Sequence, residues 1–174
     1  MSKRFALTAA GVATAAIGST AAAELITFTV HNDAFIQEAT WQVIDDGGTI
    51  IASMFVSGFV YLYSSQSTTN SFTFAAWNSS AGTSLSGYFT GFQMDLGAGT
   101  YTVDMQDTYQ DGWVWQNVDG SDAFNVAGNI TAGASDTFAF TSGAAAAGTF
   151  TVVPAPGALA LLGLAGLSSR RKRN

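Results

Sequence analysis

The chain has 174 residues, contains no cysteine and carries a formal net charge of −6. All six basic residues lie in its two ends, so the stretch between them holds all twelve acidic residues and no lysine or arginine. This composition disfavours nucleic-acid binding, because phosphate contacts need lysine or arginine, and it excludes disulfide bonds and thiolate sites.

The first 23 residues have the composition of a secretory signal peptide. Lys3 and Arg4 form a basic start, an alanine-rich apolar stretch follows, and three alanines precede the cleavage expected before Glu24. Such a segment is removed on export and takes no part in the mature fold. We therefore expect a signal helix over residues 1–23 and a mature body that begins at Glu24.

The body, residues 24–142, consists of short runs of alternating apolar and polar residues. The runs that predict strands are residues 24–31, 39–44, 49–53, 54–63, 71–75, 87–94, 100–106, 123–126 and 137–141. A period of two predicts half-buried strands, and no helical apolar period occurs in the body. The predicted fold class is all-β, an antiparallel β-sandwich of the jelly-roll type. Residues 143–152, rich in glycine and alanine, are predicted to be a linker.

The last 22 residues, 153–174, divide into three parts. The first is the tripeptide Pro154, Ala155 and Pro156, which follows Val153, and the second is an apolar run of eleven residues from Gly157 to Leu167. A basic cluster of Arg170, Arg171, Lys172 and Arg173 then closes this segment. The apolar run would form a helix of about 16 Å at about 1.5 Å per residue, which is short against a bilayer core of roughly 30 Å.

This three-part tail resembles the PEP-CTERM sorting domain, with Ala155 where that family usually has glutamate. The resemblance implies processing by an exosortase-type enzyme, transient anchoring in the inner membrane, and release to the cell surface or medium of an exopolysaccharide-producing bacterium. An uncleaved membrane anchor is the alternative.

Two stretches of the body resemble a recurrent secreted β-sandwich module. One runs from Asp33 through Glu38 to Trp41, and the other runs from residue 99 to Trp113. The resemblance implies an extracellular accessory module without enzymatic activity.

Asp107 and Asp111 lie four residues apart in a turn that ends in glycine, and Asp33 and Glu38 could complete a site from a neighbouring loop. Oxygen ligands at close spacing suit Ca²⁺, a hard cation that takes six to eight oxygens. The four carboxylates are therefore candidate calcium ligands. A simple turn stabilised by aspartate side chains is the alternative.

Trp113 and Trp115 alternate at the edge of the same loop and are candidates for stacking on a sugar ring, the alternative being that both cap the core. The body has few side chains that could serve in catalysis, because His31 is its only imidazole and it lacks cysteine, lysine and arginine. The sequence thus predicts an exported, non-enzymatic surface or extracellular-matrix protein associated with exopolysaccharide. A calcium-assisted carbohydrate-binding module is the alternative function.

Overall fold

The structure, a computed structural model, describes residues 23–58, 60–66, 71–78, 86–114 and 120–154. Ten strands lie in these ranges: β1 Glu24–Asn32, β2 Ala39–Ile44, β3 Ile50–Ser57, β4 Val60–Ser65, β5 Thr73–Asn78, β6 Ser86–Leu96, β7 Gly99–Asp107, β8 Phe124–Ile130, β9 Gly133–Phe138 and β10 Ala145–Val152. A single 3-10 turn, Ile36–Glu38, is the one helical element there. The expected all-β class is confirmed.

The expected signal helix and the C-terminal apolar helix lie outside the described residues. Within the part of the chain that the structure describes, no helix has the length and apolarity needed to span a bilayer.

The strands form one antiparallel sheet in the order β4-β3-β2-β7-β10-β8-β1-β6-β5, with β9 paired to β8. The ladder between β10 and β8 consists of one residue pair, Val152 with Ile130, whereas β10 pairs with β7 along its whole length. The sheet is therefore two broad halves joined at a narrow seam. The sandwich expected from the sequence takes the form of one sheet that curls over its own core.

Aromatic rings join the two halves across this core. Phe92 on β6 stacks on Trp41 of β2 with ring centroids 5.2 Å apart and on Phe28 of β1 at 4.6 Å. Phe28 also meets Phe150 of β10 edge to face at 5.8 Å. Such rings contribute large buried area together with a preferred geometry, so they fix how the halves face each other.

The linker predicted over residues 143–152 is wrong. Residues 145–152 form β10, the central strand of the sheet, and Phe150 and Val152 are buried. The small residues are what this position needs, because a Cβ at Gly148 would overlap the ring of Phe138 on β9. The body therefore extends through Val152.

The single strand predicted over residues 54–63 is also wrong. Gly58, at φ +65°, turns the chain between β3 and β4, which then pair as a hairpin. Glycine adopts this left-handed conformation at no steric cost.

Candidate metal site

The pairing of β2 with β7 brings together two acidic residues that are distant in the sequence. Ala39, the first residue of β2, lies opposite Asp107, the last residue of β7. The adjoining Thr108 amide donates to the carbonyl of Glu38 at 3.0 Å. Glu38 is thus held beside Asp107 by the register of the sheet.

The loop after β7 is held on its other side by the segment that connects β9 with β10. The amide of Asp107 donates to Ala144 O at 2.9 Å, and the amide of Trp113 donates to Phe140 O at 3.0 Å. The amide of Gly143 donates to Gln110 O at 3.2 Å. These bonds anchor both ends and the middle of the loop, so its carboxylates have defined positions.

Two left-handed residues give the loop its tight return. Gln110 lies at φ +71° and Gly112 at φ +78°. A Cβ on Gly112 would lie 2.6 Å from Ser142 N and 2.8 Å from Phe140 O, so only glycine fits. The turn places Asp111, between these two residues, next to Asp107.

Three carboxylates meet at this place. Glu38, Asp107 and Asp111 each offer an oxygen atom, and these oxygens lie within 4.8 Å of one another. Asp107 is only 3% exposed. Its Oδ1 accepts the Tyr109 amide at 2.8 Å, whereas its Oδ2 is buried without a hydrogen-bond partner among the described residues. The turn expected as the alternative is therefore present, but it uses only one of the two oxygens.

The pKa values of two carboxyl groups in the site are raised, first by burial and then by the neighbouring carboxylates. Burial raises the pKa of Glu38, and the charges of Asp107 and Asp111 raise it further. Burial also raises the pKa of Asp111, followed by the hydrogen bond that its protonated carboxyl can donate to Asp107 and by the charge of Asp107, with a backbone hydrogen bond opposing. A cation at the centre would reverse these effects, since opposite charge favours the ionised form.

The body offers no cationic side chain that could neutralise the three carboxylates. It contains no lysine or arginine, and its one histidine, His31, pairs with Asp122 at 2.8 Å. Buried or partly buried charges need a partner or a metal ion. The arrangement therefore fits a bound metal cation.

Asp33, the fourth predicted ligand, does not belong to the group. It is 4% exposed, and its Oδ1 accepts the amide of Phe35 at 2.8 Å, which shapes the turn that enters the 3-10 helix. The structure thus brings together three of the four predicted carboxylates.

Trp113 lies in the core rather than at a surface. It is 1% exposed, and its ring centroid lies 5.3 Å from that of Phe140. It offers no ring face to a sugar, so the core-capping alternative holds for this residue. Trp115, the other predicted sugar-stacking residue, lies outside the described residues.

Two aromatic residues that the sequence pattern did not single out as ligand contacts lie beside the carboxylates. Phe35, 40% exposed, and Tyr109, 73% exposed, line a cavity of about 330 Å³ together with Glu38 and Asp111. The sequence did contain one indication of this arrangement, since Tyr109 lies between the two aspartates of the loop.

Most of the tail lies outside the described residues. This part includes the predicted sorting-signal residues Ala155, Pro156, Gly157, Arg170, Arg171, Lys172 and Arg173. Val153 is described, and it continues the ladder beyond β10. Its amide donates to Asn129 O at 3.0 Å, and the Asn129 side chain donates to Val153 O at 2.9 Å. The first residue of the tail motif is thus part of the folded body, and Pro154 follows it.

Comparison of the chain with protein-family models, with curated proteins and with solved structures found no match.

Proposed function

We propose that this protein is an exported, non-enzymatic surface or extracellular-matrix protein whose β-rich body binds Ca²⁺ through Glu38, Asp107 and Asp111. One observation supports the cation: among the residues that the structure describes, the buried Oδ2 of Asp107 has no hydrogen-bond partner although it lies in a group of three carboxylates. Leaving a buried carboxylate oxygen unpartnered is costly, and a cation would offset that cost.

Calcium suits this group better than other metals. The three residues offer oxygen ligands only, which favours hard cations over Zn²⁺, whose sites are usually built from cysteine and histidine. Ca²⁺ tolerates irregular geometry and six to eight ligands, whereas Mg²⁺ demands a near-ideal octahedron. Three carboxylates provide up to six oxygens and leave room for water or a ligand. Extracellular sites of this kind bind at about 10⁻⁴ to 10⁻³ M.

The extracellular location is proposed from the two ends of the sequence. A signal peptide at residues 1–23 would direct export, and the PEP-CTERM-like tail would hold the chain transiently in the inner membrane until an exosortase-type enzyme processes it. The acidic, jelly-roll-like body would then remain with the extracellular polysaccharide. An acidic body without lysine or arginine supports a partner other than nucleic acid.

Thermal unfolding of the full chain tests the cation. Melts are compared in EDTA, in CaCl₂, and in MgCl₂ or NaCl at matched ionic strength. We expect a rise in Tm specific to Ca²⁺, since a ligand at 100 times its Kd stabilises the folded state by about 2.7 kcal/mol. An equal rise in every salt would instead mean general screening of the acidic body, and the calcium site would be abandoned.

A truncation tests the sorting proposal. Because Val153 is hydrogen-bonded to the body, the deletion should remove residues 155–174 and retain Val153 and Pro154. We expect the truncated protein to accumulate in a different fraction from the full chain. A matched control replaces only Arg170, Arg171, Lys172 and Arg173 with glutamine. If both variants fractionate like the full chain, the tail is not a sorting signal.

A further inference from the structure

Two exposed aromatic residues, Phe35 and Tyr109, lie beside the carboxylate group. In each case an aspartate two residues earlier accepts a hydrogen bond from the backbone amide of the aromatic residue. Asp33 Oδ1 accepts the amide of Phe35 at 2.8 Å, and Asp107 Oδ1 accepts the amide of Tyr109 at 2.8 Å. Each aromatic residue thus follows an aspartate by two positions, in a turn that the aspartate closes. Fixing the backbone beforehand reduces the ordering cost of binding.

The cavity between these rings combines an apolar wall with the carboxylate oxygens. Phe35 and Tyr109 line it together with Glu38 and Asp111, and its volume of about 330 Å³ lies at the lower end of the range of small-ligand sites. A side chain as exposed as Tyr109, at 73%, contributes little to the core. Its position beside the carboxylates points to contact with a ligand.

The charge of the body selects the class of ligand. Twelve acidic residues and no lysine or arginine repel anions and offer no partner for a phosphate, sulfate or carboxylate group. A neutral ligand with adjacent hydroxyl groups avoids this repulsion. Two hydroxyl oxygens can enter the coordination shell of Ca²⁺, which accepts six to eight oxygens, while the C–H face of a sugar ring packs on an aromatic ring.

We infer that Phe35 and Tyr109 form the walls of a saccharide site in which a neutral sugar with vicinal hydroxyls coordinates the cation held by Glu38, Asp107 and Asp111. This inference rests on the proposed calcium site. The sequence predicted sugar contact at Trp113, which is buried. The sugar would instead contact the exposed residues Phe35 and Tyr109. Specificity would come from the spacing between cation and rings.

Affinity electrophoresis of the full chain through gels containing mannan tests the inference, with CaCl₂ or EDTA in the gel. We expect retardation in CaCl₂ and none in EDTA. Tyr109→Ala should weaken binding by about tenfold, the effect of losing about 60 Å² of apolar contact at about 25 cal/mol per Å². Tyr109→Phe should retain binding. Phe55→Ala removes a ring that is about as exposed as that of Phe35, at 44% against 40%, and that does not line the cavity, so this variant should bind like the wild type.

The outcomes separate this inference from the calcium proposal. The Ca²⁺-dependent rise in Tm should be the same in Tyr109→Ala as in the wild type, which also shows that the variant folds. Retardation that persists in EDTA, retardation unchanged in Tyr109→Ala, or no retardation alongside a normal Ca²⁺ shift would each overturn the saccharide site and leave the cation in place. Loss of the Ca²⁺ shift in the wild type would overturn both.

Discussion

The substitution Asp107→Asn distinguishes a metal ligand from a carboxylate that merely closes a turn, because its effect on stability should change sign with calcium. Asparagine keeps an Oδ1 that can accept the Tyr109 amide, the bond now made at 2.8 Å. It also replaces the unpartnered Oδ2 with a neutral donor that faces Glu38 and Asp111. Without calcium, repulsion is removed and two hydrogen-bond acceptors gain a donor.

The size of the effect follows from the separation of the charges. Two unit charges 4.8 Å apart, the upper limit within this group, repel by about 0.9 kcal/mol at the dielectric constant of water. The value for water gives the smallest repulsion, because Glu38 and Asp111 are partly exposed to solvent whereas Asp107 is buried. Removing the charge of Asp107 relieves two such pairs, so we expect a gain of about 2 kcal/mol in EDTA. This corresponds to a rise in Tm of about 6 °C for a body of this size.

Calcium should invert the order of the two proteins. The wild type gains about 2.7 kcal/mol at 100 times its Kd, whereas Asp107→Asn should lose most of that gain together with a ligand. Circular-dichroism melts of both proteins in EDTA and in about 10 mM CaCl₂, roughly 100 times a Kd of 10⁻⁴ M, provide the comparison. Asp95→Asn, an exposed aspartate on β6, controls for the loss of one charge.

An Asp107→Asn protein that is less stable than the wild type in EDTA as well as in calcium would refute the assignment of Asp107 as a metal ligand. Asp107 would then act as a structural hydrogen-bonding group whose charge the fold tolerates. Equal shifts in Asp95→Asn would show instead that net charge, rather than the site, sets the stability.

Three further predictions follow from the same structure. Gly112→Ala should destabilise the protein by about 2–5 kcal/mol in urea unfolding, since it combines left-handed strain with overlap against backbone atoms; a loss below about 1 kcal/mol would mean that the loop can rearrange. In EDTA, the Tm should fall as the pH rises from the ordinary carboxyl pKa values of 4.5 and 3.8 through the raised pKa values of Glu38 and Asp111, because the folded state binds protons more tightly than the unfolded state. In CaCl₂ the trend should reverse. Identical dependences of Tm on pH in EDTA and in CaCl₂ would exclude a cation at these groups. Gly148→Ala should cost about 1–3 kcal/mol by overpacking and little in a Phe138→Ala background, whereas additive effects would show that the two residues are not in contact.

The all-β class could be predicted because most strands carry alternating apolar residues. The alternation in residues 24–31 reappears as burial of Ile26, Phe28 and Val30 on one face of β1. β10 escaped prediction because alanine and glycine resemble a flexible linker in composition. Its role as a strand depends on Phe138, a residue of another strand that fills the space above Gly148. A single sequence does not reveal such a contact.

The candidate site could be predicted from the sequence only where its residues lie close together in the chain. Asp107 and Asp111 lie in one loop, so their spacing was visible. The contribution of Glu38 depends on the register of β2 against β7, which the sequence did not specify. Whether Asp33 joins these carboxylates depends on the path of the chain after β1, and the structure places Asp33 outside the group. Trp113 was ambiguous because alternation at a loop edge does not tell which ring faces the core.

The path of the chain out of β10 has a mechanical consequence. Val153 is hydrogen-bonded to Asn129, and one residue then separates it from position 155, a distance of about 7 Å at about 3.3–3.6 Å per residue. If the tail were held at a membrane from position 155 onward, the body would lie close to that membrane. Any pull on the tail loads the central strand directly, and β10 resists it through its whole ladder with β7. Drag on the matrix would then be transmitted to the middle of the sheet, beside the seam between its two halves.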